Sequence, residues 1–290
     1  MITTAQAKDA AEQYREEGYA IVRGFVDGDD LVRLRKETQA VYEEGLRHHA
    51  TFRHGNLNFQ VLPETHFDKR YVLQAYWFSW INRYFEEFRR NADYLKLLEG
   101  LIGRDIKQIA QQLHWKPPGA NLTGYRFHQD IRFRNQADFD AIVESTVTTG
   151  LAVDRATVEN GCLQVVPGSH KLGYLGLSDE GHGQLMKGVT AESELVAVGI
   201  DPANIVSLEL EPGDLAMWNL LTVHGSAANK SAHDRAFALS SYVRADSTAR
   251  GEWAFKDGVS MPLGDKPKLC KYERLFEDPG PSYDTTAWWN

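Results

Sequence analysis

After Gly103 the chain breaks into short apolar runs, each ended by Pro, Gly or Asn: "IKQIAQQLHW", "VTTGLAVD", "GCLQVVPG", "IVSLELEPGDLAMWN", "TVHGSAAN" and "FALSSYVRA". Runs of this length, rich in residues that suit a pleated surface and bounded by turn formers, read as β-strands. Coming after a helical start, they predict a mainly β fold with flanking helices. A β-sandwich or jelly roll fits this order better than alternating β and α units.

In the helical start, Thr4 is the expected N-cap of a helix through "AQAKDAAEQYREEG", which Gly18 stops. "YAIVRGFV" follows as a short strand. From Asp29 to about Arg47, Leu31, Leu34, Val41 and Leu46 recur near the helical period, with Asp29 or Asp30 as the cap. A third helical region is expected from about Ile81 to Gly103. No internal repeat or low-complexity linker divides the chain. Residues 1–290 are therefore expected to form a single domain, with a mostly helical buttress over 1–105, a jelly-roll core over 106–245 and a C-terminal extension over 246–290.

Composition narrows the partners. A formal charge of -8, a pI near 5.7 and the lack of any Lys/Arg block argue against a surface that tracks phosphates, so nucleic acid is not expected. The first residues, "MITTAQAKDAAEQYREEG", are charged, and no run of about 18 apolar residues is present to span a bilayer. No membrane association is expected, and the expected compartment is the cytoplasm. Cys162 and Cys270 lie far apart and outside CxxC or zinc-type spacing, so Cys162 reads as a small core residue.

The chemistry starts at "YRFHQDIRF", residues 125–133. On an extended strand, residues i and i+2 share a face, so His128 and Asp130 can offer an imidazole nitrogen and a carboxylate oxygen to one ion while Gln129 points away. A third ligand is available in His224, just beyond the turn "PGD" and the strand "LAMWN". Two histidines and one carboxylate on one face of an octahedral ion leave three positions open, which suits non-haem Fe(II) handling dioxygen and a chelating co-substrate. Eleven residues after His224 comes Arg235, in the alternating segment "RAFALSSYV". Its planar guanidinium suits the distal carboxylate of 2-oxoglutarate; a surface ion pair with Asp214 or Asp234 is the plainer alternative.

Taken together, these motifs resemble the phytanoyl-CoA dioxygenase family of Fe(II)- and 2-oxoglutarate-dependent oxygenases. The likeness runs from about Ile106 to Val243: "KPP" at Lys116 to Pro118, "HQD" at His128 to Asp130, "NGCLQVVPGSH" at Asn160 to His170, "PGD" at Pro212 to Asp214, "HGS" at His224 to Ser226, then Arg235. The resemblance implies a double-stranded β-helix of the cupin-like kind, with helices packed on one sheet. It assigns His128, Asp130 and His224 to iron, Arg235 and Ser226 to the distal carboxylate of 2-oxoglutarate, and Gln112 to a further co-substrate position. It also implies dioxygen as second co-substrate, and hydroxylation of an unactivated C–H with release of succinate and carbon dioxide. Halogenating relatives replace the carboxylate ligand with a small residue; Asp130 keeps it, which favours hydroxylation.

The chain departs from its relatives in two places. Gly150 falls where some relatives carry a tryptophan near the co-substrate, so that contact is missing or comes from Trp218 or Trp115. The segment "RFRNQADFDAIVEST" lengthens the stretch after the metal motif, which points to a different substrate. "LQAYWFSWINRYF" with Phe127, Phe133 and Phe139 is a candidate apolar wall, although Tyr76, Trp77 and Trp80 are also candidates for plain core. Arg132 and Arg134 read as anion contacts or as solvated surface. The long glycine-rich stretch "HKLGYLGLSDEGHGQLMKGVTAESE" suits a lid. "NGCLQVVPGSH" reads as architecture, His114 and His233 as bystanders, and Trp288 and Trp289 as packing. The expected activity is hydroxylation of a small-molecule metabolite. The alternatives are an acyl-CoA hydroxylase and, from another class, a jelly roll that binds metal or sugar without turnover.

Overall fold

The computed structural model describes the chain apart from residues 63, 65–68, 119–122, 134–138, 178–189, 266–278 and 286–290. Helix α1, Thr4–Glu17, is capped by Thr3 rather than Thr4. Thr3 has the extended backbone a cap needs; its hydroxyl accepts the Gln6 N–H while the Gln6 side chain accepts the Thr3 N–H, a reciprocal capping box. Gly18 ends the helix in the left-handed conformation at φ 78°, and a Cβ there would collide with the His170 ring. Strand β1, Tyr19–Val22, and helix α2, Gly28–Leu46, follow. The cap of α2 is Asp27, not Asp29 or Asp30; those two lie in the first turn, where negative charge meets the positive end of the helix dipole.

Residues 51–76 differ from expectation. They are not part of a helical buttress but form three antiparallel strands, β2 (Thr51–His54), β3 (Leu57–Leu62) and β4 (Tyr71–Tyr76). Most side chains of β3 and β4 are buried on both faces, so the polar–apolar alternation that marks a half-exposed strand is missing. The third helical region is split into α3, Arg83–Phe88, and α4, Ala92–Ile102, because Asn82 and Asn91 each cap a new start through the N–H groups of Phe85 and Tyr94.

The remaining chain supplies β5 (Ile106–Lys116), β6 (Tyr125–His128), α5 (Phe139–Ile142), β7 (Thr146–Ala152), β8 (Leu163–Val165), α6 (Glu192–Ala197), β9 (Val206–Leu208), β10 (Leu215–Asn219), β11 (His224–Ser226), β12 (Arg235–Arg244), β13 (Glu252–Lys256), β14 (Val259–Ser260) and β15 (Ser282–Asp284). They build two antiparallel sheets. The larger runs β1-β10-β7-β12-β5-β4-β3-β2-β15, with β13 and β14 joined to it through β5; the smaller runs β6-β11-β8-β9. The result is a jelly roll.

One face of the large sheet carries Leu113, Trp115, Leu151, Leu215 and Met217 into a core shared with Ala10, Tyr14, Leu34, Val41, Leu97 and Leu98 of the helices. The opposite face sends Ala152, Ala216, Trp218 and Phe237 against Leu163, Val165 and Leu208 of the small sheet. Burial of these two apolar layers holds the sheets at a set separation, and the space between them contains the site. Among the described residues no helix is long and apolar enough to cross a membrane.

Candidate metal centre

His128 ends β6 and His224 begins β11, and the two stand directly opposite each other in the small sheet. Their rings lie 4.2 Å apart. Asp130 does not lie on the strand with His128: the strand stops at His128, and Asp130 opens a single 3-10 turn, Asp130–Phe133. Gln129 points away, as expected. Its buried amide donates to the carbonyls of Gly173 and Leu221 at 2.8 and 2.7 Å and accepts the Leu175 N–H at 2.7 Å, and these bonds pin the turn that brings Asp130 round.

One potential ligand atom from each of His128, Asp130 and His224 lies within 4.8 Å of the other two. The Asp130 Oδ1 is 3.7 Å from His128 Nε2 and 3.6 Å from His224 Nε2. Both rings donate through Nδ1 to backbone carbonyls, His128 to Arg126 at 2.8 Å and His224 to Thr222 at 2.9 Å. A carbonyl only accepts, so when the rings are neutral the lone pairs sit on the two Nε2 atoms that face Asp130. Burial pushes His224 down to about 4, with the nearby His128 acting in the same direction, so this ring is neutral at pH 7 and ready to ligate. The other carboxylate oxygen, Asp130 Oδ2, accepts from the Thr148 hydroxyl and the Trp218 indole N–H, each at 3.1 Å. Oδ1 is thereby left aimed at the histidines. This donor set fits Fe(II) with three coordination positions open.

The indole donor is a role that sequence reasoning did not find. Trp218 is 1% exposed and lies tilted against His224, yet nothing in "LAMWN" shows which way its N–H points. Trp218→Phe keeps the ring and removes the donor. It is expected to weaken Fe(II) affinity on the order of tenfold, the lower end of what partners of metal ligands control. Competition titration against a metal chelator measures this; an unchanged affinity would mean that Thr148 alone orients the carboxylate.

Arg235 begins β12 opposite Lys116, the last residue of β5, and is 3% exposed. Its Nη2 donates to the Gly161 carbonyl at 3.1 Å, its guanidinium carbon stands 5.2 Å from the centre of the Phe237 ring, and its Nε has no partner among the described residues. Burial depresses its pKa to about 10, which still leaves it charged at pH 7. The plainer ion-pair reading is not what the structure holds: Asp214 pairs with Arg23 at 2.6 Å, and no ion pair with Asp234 occurs among the described residues. Ser226 ends β11, where its hydroxyl accepts from Lys116 Nζ at 2.7 Å. Gln112 lies on β5, and its amide oxygen accepts from His114 Nε2 at 2.7 Å. His114 thus orients this amide, a contact its reading as a bystander did not include. A buried guanidinium whose Nε has no partner among the described residues fits a bound carboxylate.

At Gly150 a Cβ would collide with the Phe237 ring and lie 3.0 Å from Trp218, so those two rings fill the space over Gly150. Trp115 is on the other face of β5, packed edge-on against Tyr42 at 5.2 Å. The expected apolar wall is apolar at Phe133 and Phe127 and polar at Tyr76. Tyr76 donates to the Gln74 amide oxygen, while the Gln74 amide nitrogen reaches Tyr125 across the sheets at 2.7 Å and His114 at 3.4 Å. Trp77 and Phe78 are core. Phe133 meets the edge of His128 at 5.8 Å, and Phe127 packs beside Val166 and Leu177. Arg132 stacks on Phe133, His170 meets the Arg15 carbonyl at 3.2 Å, and His233 is exposed. Arg134, the Phe139 side chain, residues 178–189 of the candidate lid, Cys270, Trp288 and Trp289 lie outside the described residues.

A double-stranded β-helix that gathers two histidines and an aspartate between its sheets defines the class of mononuclear non-haem iron jelly rolls. More particularly, the chain belongs to the phytanoyl-CoA dioxygenase (PhyH) family, whose profile matches residues 14–237. It is 28% identical to the dioxygenase lolE1 of Epichloe uncinata over 51% of this chain and 50% of that protein. It is 26% identical to the peroxisomal phytanoyl-CoA dioxygenase of Homo sapiens over 75% of this chain and 62% of that one. The match thus spans from half to just over three fifths of these relatives. Among solved structures, iron-bound EctD from S. alaskensis superposes with a TM-score of 0.63 at 18% identity, over 92% of this chain and 86% of that one. The 2-oxoglutarate-dependent epimerase SnoN from nogalamycin biosynthesis gives 0.58 at 20% identity, over 92% and 96%.

Proposed function

We propose that residues 1–290 act as one Fe(II)- and 2-oxoglutarate-dependent oxygenase domain that hydroxylates an unactivated C–H of a small-molecule metabolite. The observation that carries this reading is the pairing of the His128–Asp130–His224 centre with the buried guanidinium of Arg235, whose Nε has no partner among the described residues. A module that only binds metal has no use for a carboxylate clamp. When bound, iron and 2-oxoglutarate supply dioxygen activation and oxidative decarboxylation: one atom of oxygen goes to succinate, the other to the hydroxylated product, and carbon dioxide leaves.

The chain's own residues do the positioning. His128, Asp130 and His224 hold the metal on one face; Arg235 and the Ser226 hydroxyl hold the distal carboxylate; Gln112, oriented by His114 on the same face of β5 as Lys116, offers a further amide. Phe237 and Trp218 close the space above Gly150 and keep water out. The hydrogen-bonded wall of Gln74, Tyr76, His114 and Tyr125 favours a small substrate with polar groups. An acyl thioester is the second reading, favoured by the peroxisomal relatives.

The test is a screen of metabolites and acyl-CoA thioesters for substrate-dependent succinate formation after anaerobic loading and exposure to oxygen. Succinate and hydroxylated product in equal amounts, from a polar metabolite, is the expected result. Turnover confined to thioesters would favour the second reading. An iron-loaded protein that shows no absorbance change with 2-oxoglutarate would instead make this a binding module.

A further inference from the structure

Arg235 is not the only buried cation at the clamp. Lys116 is 1% exposed and faces Arg235 in the β5–β12 register. Its ammonium donates to the Ser226 hydroxyl oxygen at 2.7 Å, the Ala227 carbonyl at 2.5 Å and the Gly161 carbonyl at 3.1 Å. The same Gly161 carbonyl accepts from Arg235. All three ammonium protons are therefore placed on protein oxygens, and the group has none left for a ligand. Among the described residues neither cation is in an ion pair. Asp154, the carboxylate that bears on Arg235, accepts the Ala236 N–H at 2.9 Å and lies 3.9 Å from Arg35. Burial and Arg235 both push the Lys116 ammonium well below its usual range, so its charge is favoured only when an anion joins the two cations.

Two adjacent cations in a desolvated space are costly unless an anion joins them. The Ser226 hydroxyl also has a direction imposed on it. Its oxygen takes the Lys116 proton, and its own proton donates to nothing among the described residues.

We propose that Lys116 is a positioning residue of the co-substrate site: it turns the Ser226 hydroxyl proton toward the distal carboxylate and adds a second buried positive charge that this carboxylate balances. This rests on the reading of 2-oxoglutarate as co-substrate. The competing role is a plain brace tying β5 to the loops at Gly161 and Ala227. The two differ in sign for the ligand-free protein. A brace stabilises it, whereas an unbalanced charge does not.

The experiment titrates the anaerobic, iron-loaded protein with 2-oxoglutarate and with 2-oxopentanoate, which keeps the chelating end and lacks the distal carboxylate. The readouts are the charge-transfer absorbance and the melting temperature. In the parent, 2-oxoglutarate should bind much the tighter; equal affinities would overturn the co-substrate reading itself. Given that preference, Lys116→Met should weaken 2-oxoglutarate on the order of tenfold, as expected for loss of charge-assisted hydrogen bonding. It should leave 2-oxopentanoate unchanged, and the ligand-free melting temperature should hold or rise. An unchanged preference, or an equal loss for both acids with a lowered melting temperature, overturns the proposal in favour of the brace. Ser226→Ala provides an arm that does not depend on how Lys116→Met folds. It should shrink the same preference, and a full preference in that variant also overturns the proposal.

Discussion

Replacing His224 by alanine is expected to cut Fe(II) affinity by more than the roughly hundredfold that partners of metal ligands can control, and to abolish turnover. The ring is one of the three proposed ligands, it is 5% exposed, and its neighbour in the cluster, Asp130, would be left facing a single histidine. No other described His, Cys, Asp or Glu stands near enough to complete a cluster. The fold should survive. The lost hydrogen bond to the Thr222 carbonyl costs about 1–3 kcal/mol if the carbonyl stays unsatisfied, and the small sheet keeps its backbone pairing between β11 and both β6 and β8. Anaerobic iron titration with circular dichroism on the same sample measures both quantities. A folded variant that binds iron like the parent would remove His224 from the ligand set.

Replacing Arg235 by alanine is expected to raise the dissociation constant for 2-oxoglutarate ten- to a hundredfold while leaving iron binding near the parent level. Charged hydrogen bonds of this kind contribute roughly 1.5–3 kcal/mol each, and about 1.4 kcal/mol is a factor of ten. Arg235→Lys keeps the charge but not the planar fork, so it should fall between the parent and the alanine variant. Titration of the iron-loaded protein without oxygen, followed by charge-transfer absorbance, gives both constants. Equal affinities in parent and alanine variant would place the carboxylate elsewhere.

How much of this was legible beforehand varied with the kind of residue. Antiparallel strands after Gly103, the stop at Gly18 and the grouping of His128, Asp130 and His224 could be read because each has a local signature: turn residues, a left-handed glycine, ligand-type side chains in order along the chain. The strands at 51–76 had no such signature. They are covered on both faces, and a continuously buried strand lacks the alternation that distinguishes it from other buried segments. The helix starts were misplaced by one to three residues, because several adjacent Thr or Asp residues were equally able to cap and only the backbone angles choose among them.

The sequence by itself determined the inventory: a jelly roll's strands, two histidines and an aspartate in family order, and an arginine eleven residues beyond the second histidine. Tertiary structure alone decided how that inventory is oriented. It turned Asp130 off the strand, with Gln129 pinning the turn, and set Trp218 and Thr148 on one carboxylate oxygen so that the other faces the metal position. It also placed Lys116 against Arg235, joining the end of β5 to the start of β12. The physical reason is that a hydrogen bond forms only within a narrow range of distance and angle, and across sheets that geometry is set by the packing of residues far apart in the chain. Residue types and spacings along one strand do not contain it.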